Sequence, residues 1–118
     1  MHFAISCTFG PVDPTRAMLP FIFSASALQS KDSVTIMLFH DSVNLAMTDF
    51  GKTIVPVGPP NTYEEVIDNI NSKIIVCKPC LEVRGLSAQL INPKIKVLLY
   101  FSPLNGLGTI KAPWGMSP

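Results

Sequence analysis

The two thiols of Cys77-Lys78-Pro79-Cys80 are the residues whose types and spacing bear most directly on chemistry. They close the apolar run Ile74-Ile75-Val76, a buried-type strand. Pro79 suits a first helical turn, since it lacks an N–H and its φ is preset near a helical value. Cys77 is therefore expected to stand at a helix N-terminus. Unpaired peptide N–H groups and the macrodipole favour an anion there, so its sulfur is expected to tend toward thiolate, the nucleophilic form. Cys80 sets a second sulfur within reach, one helical turn on.

Two further reactive types fall at strand ends. Cys7 closes the first strand segment and His40 the second, as Cys77 closes the third. In a doubly wound parallel sheet, ligands bind beyond the carboxyl ends of the strands, so one crevice is expected to gather Cys7, His40, Cys77 and Cys80. Each has a plainer competing role. A lone Cys such as Cys7 is more often a small buried apolar side chain, and a His such as His40 more often a hydrogen-bond partner of nearby backbone, than a reacting group. A single Cys pair cannot complete a structural zinc site, which takes four ligands; Cys7 and His40 would supply the rest only in tetrahedral geometry, and no metal is assigned. Asn105-Gly106-Leu107-Gly108 lacks the lysine and following helix of a phosphate cradle and reads as a turn, and no cofactor is implied. Glu64 and Glu65 are adjacent, hence on different helical faces, and do not form an acid–base pair.

The elements that must position these groups alternate between strand-like and helix-like. This pattern predicts a single-domain α/β three-layer sandwich with a mainly parallel sheet of four to five strands. Strands are expected at 3–8, 34–39, 73–77 and 94–101. A long helix should open at Asp13-Pro14, with Asp13 as cap, and run to about Gln29, buried on both sides and kinked at Pro20. Asp41 is expected to cap a short helix to about Met47, and Thr62-Tyr63-Glu64-Glu65 reads as a capping box opening a helix to about Asn71. A helix from Pro79 to Ile91 has a possible break at Gly85. The segment 53–60 reads as a brief edge strand or, given its prolines, an exposed loop. Residues 1–101 form the domain, and the Pro/Gly-rich stretch 102–118 an irregular arm of it.

Composition narrows the partners. Of 118 residues 47% are hydrophobic and 14% charged, well under the usual quarter, so some apolar surface is expected to meet another subunit through the first long helix or the 106–118 arm. A net charge of +1 without a Lys/Arg cluster disfavours nucleic acid. No apolar run is long enough to span a bilayer. Three cysteines, two of them closely spaced, disfavour a secreted disulfide scaffold and point to a reducing, cytoplasmic setting.

The run Val76-Cys77-Lys78-Pro79-Cys80-Leu81-Glu82-Val83-Arg84-Gly85-Leu86 resembles the cysteine-containing strand-to-helix motif of the DsrE/DsrF-like sulfur-relay family. Phe9-Gly10-Pro11-Val12-Asp13-Pro14-Thr15-Arg16 and Phe39-His40-Asp41-Ser42-Val43-Asn44-Leu45-Ala46 are similar to its segments after the first two strands. The resemblance spans about Met1 to Phe101. It implies a YchN-like fold, related in outline to flavodoxin-like sheets, assembled as homo-trimers or hexamers. It also implies a sulfurtransferase-type carrier whose cysteine, here Cys77, holds a persulfide between donor and acceptor proteins. On that reading Lys78 and Arg84 would steady the anion, with Lys78 also read as a solvated side chain and Arg84 as a surface or subunit contact; Cys80 would resolve the adduct. Pro20 and the end after Ser102 depart from the family pattern. A rival is a thiol–disulfide oxidoreductase, since Cys-x-Pro-Cys looks like the thioredoxin active site, although no clear cis-proline loop faces it beyond the candidates Pro56 and Pro103. A third is a metal- or ligand-binding assembly subunit.

Overall fold

Four short strands hydrogen-bond side by side in chain order, all parallel, in the computed structural model, which describes residues 1–99. They are β1 (His2–Cys7), β2 (Ser33–Leu38), β3 (Ser72–Cys77) and β4 (Lys96–Leu98). Register sets Ile5 beside Ile36 and Ile36 beside Ile74, while Cys7 pairs with Leu38 and Cys77 with Leu98. The carboxyl ends of β1, β2 and β3 therefore lie in a row. The α/β class with a parallel sheet agrees with the expectation from sequence.

Between β1 and β2 runs α1 (Pro14–Gln29). The Asp13 side chain accepts from the Arg16 N–H, and Pro14 occupies the first turn, where its missing donor costs nothing. Pro20 sits inside α1 without ending it. Expected to be buried on both sides, α1 buries one within this chain: Ala17, Met18, Phe21, Ser24 and Ala25 face inward. Leu19 and Phe23, on the other side, stay about half exposed.

The other connections are less regular than their sequences suggested. Residues 40–46 form a 3-10 turn in which no side chain caps the start, so Asp41 is not the expected cap. α2 is only Tyr63–Ile67, and the Thr62 hydroxyl makes no capping bond; the Tyr63 N–H is taken by Asn61 Oδ1 instead. The segment 54–60 carries no strand. α3 spans Lys78–Val83, cut short where Gly85 takes φ +66° and the Gly85 and Leu86 N–H groups bond back to Glu82 and Leu81 carbonyls. That is a glycine-terminated helix end, so the expected helix to Ile91 stops early. β4 starts two residues later than expected and ends at Leu98, short of the expected 101; the 101/102 boundary and the arm lie outside the described residues.

One contiguous core joins α1, α2 and α3 to one face of the sheet. It packs Met18, Phe21, Tyr63, Val66 and Leu81 with Cys7, Ile36, Leu38, Ile74 and Val76. Met37, Ile75 and Leu98, which alternate with these along the strands, are buried but not part of it. Sequential parallel strands joined by right-handed crossovers carry all their helices on one side, and the core membership agrees. Among the described residues α1, α2 and α3 all contribute to the core on the Cys7–Val76 face of the sheet. Among them, too, no helix is long and apolar enough to cross a membrane.

Candidate functional site

The chain leaves β3 at Cys77 and enters α3 at once, so the two thiols straddle a strand-to-helix junction. Cys77 is extended, at φ −75° and ψ 119°, while Cys80 lies within the first turn. Both are free and half-buried. The Cys80 side chain also packs against the edge of the core.

Opposite them is the turn that follows β2. His40 adopts a left-handed backbone conformation, φ 54°, uncommon for a residue with a Cβ. This turns its N–H toward Cys80 Sγ, 3.3 Å away. Held strain of this kind persists where the surroundings fix it. Here they do: the Ser42 hydroxyl bridges the Cys7 and Phe39 carbonyls, and the Phe39 N–H bonds the Cys7 carbonyl. Asn44 donates to the Asp41 carbonyl. Gly10 lies so close that any Cβ there would overlap that same carbonyl.

Arg84 closes the site from the far end of α3. Its Nε and Nη2 donate to Asp41 Oδ1 at 3.0 and 2.9 Å, and its Nη1 donates to the Cys80 carbonyl at 3.1 Å. Within this chain it is therefore a clamp between α3 and the turn after β2 rather than a free surface side chain. The His40 ring stands 3.6 Å from Asp41 Oδ2 and is largely exposed.

The electrostatics at Cys77 run opposite to the expectation. Partial burial, more than any other cause, pushes its thiol above the ordinary range, and the Cys80 thiol raises it further. The Cys80 amide and the Arg84 charge pull it down, but by less. Burial outweighs the pull expected of a helix start, and α3, with six residues, offers few aligned dipoles to offset it.

The structure thus brings Cys77, Cys80, the His40 backbone and Arg84 together. Lys78 is exposed beside them. Cys7 is only 3% exposed and belongs to the core, where burial pushes its thiol up to about 12. Its carbonyl, through Ser42, supports the turn, while its sulfur is walled off. Among the described residues no three His, Cys, Asp or Glu side chains are placed to hold a metal ion. Pro56 follows a trans peptide bond, and Pro103 lies outside the described residues. Asp41 was missed as a site residue because helix capping accounted for it; the available signal was an acid at one strand end and a base just past the next.

Comparison with known proteins fits this layout. A model of the DsrE/DsrF-like family matches residues 1–108. The ychN protein of E. coli shares the fold with TM-score 0.58 at 16% identity, over 83% of this chain and 84% of that one. A protein of unknown function from Methanobacterium thermoautotrophicum, MTH1491, does so with TM-score 0.56 at 13% identity, over 83% and 79%. At such identities the likeness is one of fold. No curated protein matches the chain significantly.

Proposed function

This chain belongs to the DsrE/DsrF-like family, and we propose that within the sulfur-relay chemistry of that family it carries sulfane sulfur on Cys77, with Cys80 as the neighbouring thiol. The observation that carries this reading is the placement of two free, half-exposed sulfurs at the carboxyl end of β3, where the chain turns into α3. Open parallel sheets bind ligands at such ends.

The transfer is a displacement at sulfur. The Cys77 thiolate attacks the outer sulfur of a donor persulfide; a Cys77 S–S bond forms, the donor's S–S bond breaks, and the donor leaves as a thiolate. Passing the sulfur to an acceptor thiolate repeats the step in reverse. Attack of the Cys80 thiolate on the inner sulfur of the Cys77 adduct would instead give a Cys77–Cys80 disulfide and release hydrosulfide. The partners on this reading are a donor and an acceptor protein in a reducing, cytoplasmic compartment. No metal or cofactor takes part.

The outer face of α1 is the proposed contact between copies in a homo-oligomer. On it Leu19 is 52% exposed and Phe23 48%, with Val12, just before the helix, 95% exposed, on a lightly charged chain. Mass spectrometry of the intact chain after incubation with a persulfide or thiosulfonate donor tests the reading: sulfur added to the wild type and abolished by Cys77→Ser supports it.

A second reading, thiol–disulfide exchange by the pair, is favoured by the contact between the Cys77 and Cys80 thiols. A redox titration that finds no reversible disulfide at physiological potentials removes it.

A further inference from the structure

The clamp between Asp41 and Arg84 has no place in the transfer chemistry itself, yet every bond around it leads to the thiol pair. Arg84 binds the Cys80 carbonyl with one nitrogen and Asp41 Oδ1 with the other two. Asp41 in turn sits in the turn whose His40 N–H points at Cys80 Sγ. The Asn44 amide and the close approach of Gly10 fix the Asp41 carbonyl from two further sides. Three segments, the end of α3, the turn after β2 and the loop holding Gly10, therefore converge around one sulfur.

We infer that Asp41 is a positioning residue of the thiol pair: by engaging Arg84, which also binds the Cys80 carbonyl, and by carrying the turn whose His40 N–H meets Cys80 Sγ, it holds the Cys80 sulfur in place beside Cys77. The inference rests on the reading of Cys77 as the working sulfur.

Two effects act in the same direction. Asp41 neutralises the Arg84 charge, which would otherwise favour the Cys77 thiolate more strongly. It also keeps the Cys80 thiol in place, and that thiol raises Cys77. The charged and titratable groups facing Cys77 and its surroundings are Cys80 and Arg84 from α3, Lys78 beside it, and His40 and Asp41 from the turn after β2. The His40 ring reaches Asp41 Oδ2 at 3.6 Å, on the oxygen that Arg84 leaves free.

The test is alkylation of the full chain by iodoacetamide, followed at the Cys77 peptide by mass spectrometry across a pH series. It needs no sulfur donor, so it succeeds or fails independently of the carrier reading. In the wild type the pH midpoint for Cys77 should lie above that of a free peptide thiol. In Asp41→Asn the midpoint should fall by at least about half a unit, roughly a threefold gain in thiolate fraction at a fixed pH below the midpoint. Asp41→Glu should restore it in part. Cys80→Ala, which keeps the amide but removes the sulfur, should lower the midpoint as well, and it decides the matter should Asp41→Asn fail to fold. A folded Asp41→Asn with an unmoved midpoint, an unmoved midpoint in Cys80→Ala, or a wild-type midpoint at or below the free-thiol value would overturn the inference.

Discussion

Arg84 and Asp41, 43 residues apart in sequence, meet through two hydrogen bonds to a single carboxylate oxygen, at 2.9 and 3.0 Å. The Arg84 side chain is 23% exposed and that of Asp41 48%, so the pair is only partly screened by water. Hydrogen bonds to charged groups contribute about 1.5–3 kcal/mol when well shielded, and exposure of the carboxylate reduces this. Arg84→Ala is therefore expected to lower stability by roughly 1–2 kcal/mol in urea unfolding, with the slope against denaturant unchanged. A loss below a few tenths of a kcal/mol would mean that the clamp does not hold α3 to the turn.

Alkaline pH should unfold the protein through its core. Burial pushes the Cys7 thiol from its ordinary value near 9 to about 12, so the folded state keeps that proton more tightly than the unfolded chain does. The contribution is fully present below pH 9 and drains away as pH rises toward 12, at no more than about 1.4 kcal/mol per unit. Tyr63, whose buried hydroxyl donates to the Leu45 carbonyl, is raised in the same way and adds to the loss at higher pH. Replacing Cys7 by alanine should flatten the fall in stability between pH 9 and pH 10.5, measured by denaturant titration at each pH. An unchanged slope would place the titrating group elsewhere.

Gly10 has no room for a side chain. A Cβ there would overlap the Asp41 carbonyl and reach its side chain, both of them backed by other bonds. Overpacking of this kind costs about 1–3 kcal/mol. Gly10→Ala should therefore lower the melting temperature and, by shifting the turn, weaken the His40 contact to Cys80. The melting temperature checks the first effect, and the Cys77 alkylation midpoint, expected to fall, checks the second.

The outer face of α1 should set the assembly state. Leu19→Glu places a charge on an exposed apolar surface and should leave the core intact, since Leu19 is not part of it. Light scattering of the wild type at micromolar concentration is expected to give a multimer, and that of Leu19→Glu a smaller species. Wild-type protein that is monomeric throughout would refute the proposed interface.

What could be read from residues alone followed how local the determining forces were. α1 was legible almost to the residue, because Asp13 and Pro14 specify its start by contacts within one turn. The first three strands were legible within a residue, being apolar runs bounded by polar ones, while β4 is shorter than its run suggested. The short helices were not. At Thr62 the capping pattern lost to Asn61, whose side chain reaches the Tyr63 N–H first and also holds the Gly51 and Ile54 carbonyls. At Asp41 a long-range partner, Arg84, outweighed the local cap. The thiol pair was visible as a motif, but its electrostatic state was not, because burial, its largest cause, depends on how other parts of the chain pack around it. The length of α3 likewise depended on Gly85, a possible break in the sequence and an actual one in the fold.

The most direct measurement is the intact mass of the protein before and after exposure to a sulfane sulfur donor, with each of Cys7, Cys77 and Cys80 replaced in turn by serine. The account predicts added sulfur on the wild type and on Cys7→Ser, and none on Cys77→Ser. Added sulfur that survives in Cys77→Ser, or a wild type that takes up none, would contradict it.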